Sequence, residues 1–253
     1  MIATQGAGTR WRRALRCLLS TTAFAAALAG PALAATQAGD GTILTRLSDL
    51  HTVSRWAYSR SEAVVRASPS SRAHPVGRLR FLTGDGQAEL YMTLLSARLA
   101  SGQSWIQIEF PARPNGRTGW VPRGALGSLR MVSGYLLIDQ SSLRATLVRD
   151  GRAIFSAPIG VGSASTITPP GHFYVMEKLT TLNDPVYGPY AIGTSAYAPT
   201  LSEWPGGGVV GIHGTNEPQL IPGRPSHGCI RMRNGDITRL WATIALGTPI
   251  EIT

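Results

Sequence analysis

Cysteine, lysine and acidic side chains are scarce in this chain. Its 253 residues hold two cysteines, Cys17 and Cys229, one lysine, Lys178, and 14 acidic residues against 24 basic ones. So few thiols exclude a fold stapled by several disulfides. About 220 residues remain after an N-terminal export signal, enough to bury a core in one or two domains, and two is the reading adopted. No block of basic residues with interleaved aromatics occurs, which argues against nucleic-acid binding. The net charge is +10, and four of the 24 basic residues but none of the acidic ones fall within the first 34, so the remainder carries +6. That excess favours an anionic polymer or surface as the place of work, although the dominance of Arg also fits a bias of genome composition.

Residues 1–34 are the expected signal peptide. Arg10, Arg12, Arg13 and Arg16 make a positive start, Ala14 to Ala29 is a mostly apolar run, and Ala32-Leu33-Ala34 satisfies the small-residue rule, with cleavage placed after Ala34. A membrane anchor is the competing reading, but the run from Cys17 to Ala29 is short for a span and rich in Ala rather than Leu and Ile. Arg12-Arg13 leaves the Sec and twin-arginine routes both open. Cys17 leaves with the signal. Cys229 is then a lone thiol with no internal partner for a disulfide. It lies in Ser226-His227-Gly228-Cys229-Ile230-Arg231, downstream of His213-Gly214-Thr215, and a sulfur beside two imidazoles is a candidate nucleophile.

Residues 35–48 read as a linker, small and polar at first and without periodicity. Residues 49–128 hold short candidate strands at 63–67, 77–82, 105–110 and 118–122. In the third, Trp105, Gln107 and Glu109 alternate with Ile106, Ile108 and Phe110, the period of a sheet with two distinct faces, and a small β-barrel is expected. A second unit, residues 131–253, is expected to be mainly β with one helix. Strands are predicted at 135–139, 144–148, 153–157, 172–176, 209–213 and 249–252, with Asp150-Gly151 as a tight hairpin turn. The helix is predicted over 236–245, where Ile237, Leu240, Trp241, Ile244 and Ala245 share a face, Asn234 or Asp236 caps the start and Gly247 stops it.

Residues two apart on an extended strand point the same way, so His227 and Cys229 are expected to face one cleft while Gly228 exposes its backbone between them. His213 ends another predicted strand, and the loop 214–225 is long enough to bring it alongside. An unperturbed thiol is only a few per cent thiolate at neutral pH, so a neighbouring imidazole that takes its proton raises the reactive fraction many-fold. The oxyanion formed on attack at a carbonyl needs N–H donors, which the backbone around Gly228 and Cys229 is placed to supply. Acyl transfer through a thioester suits this set.

Two resemblances follow from the motifs. The order of "VVRASPSS", "WIQIEF" and "RTGWVPRGAL", with Gly119-Trp120-Val121 as its most telling part, resembles the bacterial SH3-like domain; a role in wall binding and a role as packed spacer both remain open. Residues 131–253 resemble the YkuD-like L,D-transpeptidase catalytic domain. The similar segments are Thr168-Pro169-Pro170-Gly171-His172-Phe173, Tyr187-Gly188-Pro189 with Ala191-Ile192, Ile212-His213-Gly214-Thr215, Ser226 to Arg231, then Met232, Asn234, Asp236 and Gly247-Thr248-Pro249. The resemblance implies a β-sandwich with Cys229 as nucleophile and His213 as the base, oriented by a backbone carbonyl near Gly214. His227 would line the oxyanion region, and which imidazole takes the proton stays open. It further implies Arg231 as partner of a stem-peptide carboxylate, Ser226 and Gly228 as shapers of the turn, and Tyr187 at the substrate. The implied reaction is attack on the third residue of a peptidoglycan stem tetrapeptide, release of D-alanine, and transfer to an amine on a second stem peptide, a lipoprotein or a D-amino acid. No cofactor or ATP is required, a carbapenem is the expected covalent inhibitor, and the periplasm or cell envelope is the expected location.

Other readings compete. His213, His227 and Cys229 are zinc-ligand types, but no fourth ligand or paired Cys is evident, so no metal is expected. Tyr187, Tyr190, Tyr197 and Trp204 fit either a lid or packing anchors. His172 reads as a strand residue, and His51 and His74 lie outside the catalytic unit. A hydrolase using the same thioester and a non-catalytic wall-binding protein are the alternative functions.

Overall fold

The computed structural model describes residues 34–84, 86–181, 184–201 and 205–253. All of the expected signal peptide but Ala34 lies outside these residues, as does Trp204. Among the described residues, nineteen strands form two sheets, accompanied by one α-helix.

The first sheet contains β1 (Ala35–Gln37), β2 (Ile43–Arg46), β3 (Val53–Tyr58), β4 (Val64–Arg66), β5 (Pro75–Arg78), β6 (Leu90–Arg98), β7 (Ser104–Glu109), β8 (Thr118–Pro122) and β9 (Arg130–Ser133). Its main path runs β1-β2-β6-β7-β8-β4-β5. The nine-residue β6 organises it, pairing with β7 along one edge and with both β2 and β3 along the other. Two expectations are corrected here. The segment 35–48 is not an unstructured linker, because β1 and β2 pair with each other and β2 with β6. Met131 does not open the second unit: it lies in β9, which pairs with β3.

The second sheet contains β10 (Tyr135–Asp139), β11 (Arg144–Arg149), β12 (Arg152–Pro158), β13 (Gly160–Gly162), β14 (Gly171–Thr180), β15 (Tyr190–Tyr197), β16 (Val209–His213), β17 (Gly223–Ser226), β18 (Ile230–Arg231) and β19 (Pro249–Ile252), in the order β12-β11-β10-β19-β14-β15-β16-β18-β13-β17. The β11–β12 hairpin turns where predicted, with φ +51° at Asp150 and +70° at Gly151. Strand β14 joins the halves, pairing with β19 through residues 171–174 and with β15 through 175–180. Ile138 and Phe173 from one half share a buried core with Ile192, Ile212 and Ile230 from the other. Helix α1 (Asn234–Thr243) adds Ile237 and Leu240 to that core. It starts earlier than predicted and lacks the expected side-chain cap, since Arg233 is the N-cap residue and makes no capping bond. Gly247 lies beyond the helix end, and at φ +74° it packs so closely on the Trp56 indole that a side chain there would collide with the ring.

The two sheets meet face to face. Trp56, Leu90 and Met92 from the first form one buried cluster with Tyr174 and Met176 from β14. The Tyr174 hydroxyl donates towards the carbonyls of Glu109, at 3.3 Å, and Leu90, at 3.4 Å. This contact explains why the polar face expected on β7 is not a solvent face: Glu109 is 8% exposed, and burial raises its carboxyl pKa from 4.5 to about 8. A carboxyl that keeps its proton in the folded chain and loses it in the unfolded chain contributes full stability below pH 4.5. That contribution drains away as the pH rises towards 8, at about 1.4 kcal/mol per pH unit. Glu109→Gln is therefore expected to melt at a higher temperature than the wild type at pH 8 and at a similar temperature at pH 4.5. Thermal melts at the two pH values check this.

Candidate active site

Strands β16 and β18 run parallel, with Ile212 beside Ile230 and His213 beside Arg231. Ile212 and Ile230 are fully buried in the core, so the two-residue period turns His213 and Arg231 to the opposite face. One period before Arg231, Cys229 joins them in a pocket of about 70 Å³, bordered also by Tyr187, His227 and Gly228. The far wall comes from Ala198, Leu201, Gly208 and Val209. A reacting carbonyl fits such a space, and the rest of a peptide would lie outside it.

The expected extended run through 226–231 is not one strand. β17 ends at Ser226 and β18 begins at Ile230, and between them the chain turns with φ +118° at Gly228, a backbone geometry that favours glycine. The Ser226 hydroxyl clasps this turn, donating to the Cys229 carbonyl at 2.5 Å and accepting the Gly228 N–H at 3.1 Å. The Gly228 N–H is thus engaged inside the protein, and does not stand open to an oxyanion as expected. Ser226 is buried and borders the same pocket, and its hydroxyl holds the turn. A second clasp comes from Thr168, whose hydroxyl donates to the Gly228 carbonyl at 2.8 Å and accepts the Gly162 N–H at 2.9 Å.

His213 is 4% exposed, and its Nδ1 lies 2.6 Å from the carbonyl oxygen of Gly214. A carbonyl can only accept, so Nδ1 carries the hydrogen and Nε2 keeps the lone pair. The segment after His213 is fixed in turn by Asn234, whose side-chain oxygen accepts the Thr215 N–H at 2.9 Å. This use explains why Asn234 does not cap the helix. The Tyr187 ring stands edge-on to His213, with centroids 4.8 Å apart. His227 is exposed at the rim.

Burial acts against charge on both central groups. It lowers His213 from the ordinary imidazole value of 6.5 to about 4, outweighing the opposing hydrogen bond to Gly214. It also raises the Cys229 thiol, despite a backbone hydrogen bond from Gly211 and the positive charge of Arg231. Burial thus disfavours the charged form of both groups. Arg231 pairs through Nη1 with Glu217 at 3.0 Å, while its buried Nε has no hydrogen-bond acceptor within the protein. Glu217, Asn234 and the Thr168 clasp were not assigned to the site from sequence, although Thr168 and Asn234 stand within the quoted motifs. Among the described residues no three His, Cys, Asp or Glu side chains gather as metal ligands.

The family described as YkuD, L,D-transpeptidase catalytic domain, matches residues 133–252. The candidate L,D-transpeptidase YkuD of Bacillus subtilis strain 168 is 30% identical over 158 residues, covering 62% of this chain and 79% of that protein. A second candidate L,D-transpeptidase of the same organism, YqjB, is 30% identical over 127 residues, 47% of this chain and 70% of that one. Among solved structures, the catalytic domain from the E. faecium L,D-transpeptidase is 24% identical, covering 47% of this chain and 95% of that one with a TM-score of 0.36. The sequence match to YkuD runs through most of that protein's length, and the family pattern spans the whole second sheet after β9; on these grounds the chain belongs to the L,D-transpeptidase family.

Proposed function

We propose that Cys229 is the nucleophile of an exported L,D-transpeptidase that acts on peptidoglycan stem tetrapeptides. The observation that carries the reading is the shared pocket of His213 and Cys229, with Nδ1 of His213 held on the Gly214 carbonyl so that Nε2 is the basic nitrogen. Sγ attacks the carbonyl carbon of the third residue while Nε2 accepts the thiol proton. The carbon–nitrogen bond to D-alanine breaks, the departing amine takes that proton, and a thioester remains. An incoming amine attacks the thioester, passes its proton to Nε2, and the thiol is restored. The peptide-bond energy is kept in the thioester, so the cycle consumes no ATP. The Cys229 main-chain N–H is the donor assigned to the oxyanion, because the Gly228 N–H is engaged by Ser226, and His227 lines the rim. Arg231, whose side chain borders the pocket, binds a stem-peptide carboxylate, and Tyr187 packs beside the donor. We also assign the first sheet to an SH3-like unit and the work of the enzyme to the periplasm. No helix of the described residues is long and apolar enough to cross a membrane.

Ertapenem is the probe that tests nucleophile and pocket together. Intact-mass analysis is expected to show one covalent adduct on the wild type, mapped to Cys229, and none on Cys229→Ala. With tetrapeptide muropeptides, wild type should release D-alanine and form crosslinked dimers, and Cys229→Ala should do neither. Tripeptide monomers in place of dimers would assign water as the acceptor, and turnover by Cys229→Ala would overturn the mechanism.

A further inference from the structure

The far wall of the Cys229 pocket belongs to a segment that leaves β15 at Tyr197 and re-enters the sheet at Val209. Its neck is closed by one backbone hydrogen bond, Ala198 N–H to the Gly208 carbonyl at 2.8 Å. The carbonyls of Ala198, Leu201 and Gly207 in this segment need donors, and here the donors come from the other sheet. The Arg113 guanidinium, on the connection between β7 and β8, donates to the carbonyls of Gly207 at 2.9 Å and Ala198 at 3.1 Å, with a longer contact to Leu201 at 3.4 Å. It also lies over the Tyr197 ring, 4.6 Å from the centroid. Two residues on, Asn115 pairs with the backbone of Tyr197 in both directions, each bond 2.9 Å, as an extra strand would. Ala198 in turn borders the nucleophile turn: a Cβ placed on Gly228 would sit 3.6 Å from the Ala198 Cβ.

We infer that Arg113 and Asn115 are positioning residues for the active site, a strut by which the first sheet holds the pocket wall at the distance that admits the donor peptide. One planar guanidinium spans both ends of the segment, which the single point charge of a lysine cannot do. Neither residue lines the pocket, so their effect reaches the substrate only through Ala198, Leu201 and Gly208. The kinetic consequence rests on the acyl-transfer reading of Cys229; the structural one does not.

The test uses the full chain with Arg113→Ala, Asn115→Ala and Arg113→Lys. KM for the tetrapeptide donor is expected to rise about tenfold in both alanine variants while kcat stays within about threefold, with Arg113→Lys between them and the wild type. Alkylation of Cys229 by iodoacetamide, which is too small to need the wall, should stay within about twofold. Amide hydrogen exchange should accelerate about tenfold or more at 197–201 and 207–210 and remain unchanged at 230–232. Wild-type KM and wild-type exchange in both alanine variants would overturn the inference. So would accelerated exchange across both sheets, since the residues would then hold the whole fold and not the wall. If the wild type itself releases no D-alanine, the proposed function fails, and the exchange measurement still decides the strut.

Discussion

His213→Gln is expected to lower kcat/KM for D-alanine release by about a thousandfold while leaving the chain folded. A positioned general base contributes on the order of a hundred- to ten-thousandfold. The demand on it is high here, because burial disfavours the Cys229 thiolate. Glutamine can still donate to the Gly214 carbonyl but offers no basic nitrogen. The pH profile gives a second readout. With the imidazole pKa lowered to about 4, kcat/KM of the wild type should hold its plateau through pH 5 and fall near pH 4. A profile that keeps its plateau through pH 3 would remove His213 from the role of base. Stability carries the same signature. A base whose folded pKa lies below its unfolded value contributes stability that is complete above pH 6.5. That contribution is lost as the pH falls through 4, amounting to roughly 3 kcal/mol from the displacement of the pKa. Removing the imidazole should therefore reduce the acid sensitivity of folding as well as catalysis.

Sequence made this pocket legible because it gathers residue types that are scarce in the chain, one of the two cysteines and two of the five histidines. The backbone that holds them was harder to see. Strand β6 runs Leu90-Tyr91-Met92-Thr93-Leu94-Leu95, and it packs against the first core on one face and against β14 on the other, so the alternation that marks a half-buried strand is missing. β15 is hidden for a different reason. Its centre, Gly193-Thr194-Ser195-Ala196, is made of small buried residues, and a side chain at Gly193 would collide with Glu177 of β14. Close backbone approach selects small residues there, and small residues carry little hydrophobic signal. The turn at 227–229 is not distinguishable from an extended run in the sequence, because period-two spacing alone cannot separate a strand from a turn held by side chains. Gly228 at φ +118° shows what decides the matter: the Ser226 bonds are local, but the Thr168 clasp comes from a residue remote in sequence.

Thr168→Val carries the largest expected effect outside Cys229 and His213, and it separates holding the proposed nucleophile from being it. The substitution keeps the side chain's shape and removes one hydroxyl, which serves as donor to the Gly228 carbonyl and acceptor of the Gly162 N–H in a site with 1% exposure. Two buried backbone groups lose their partner at once. Each costs about 1–3 kcal/mol when left unsatisfied, so a loss of roughly 2–6 kcal/mol is expected, read as a lower midpoint in urea with little change in slope. The catalytic loss should exceed tenfold even under conditions where the variant is fully folded, because Gly228 is then tethered only through Ser226 and Cys229 no longer keeps its place opposite His213. Thr168→Ser supplies the control, since it retains the hydroxyl and should recover most of both losses. If Thr168→Val melts like the wild type, the hydroxyl is not clasping the turn; if it is destabilised but acylates with ertapenem at the wild-type rate, the clasp serves the fold alone.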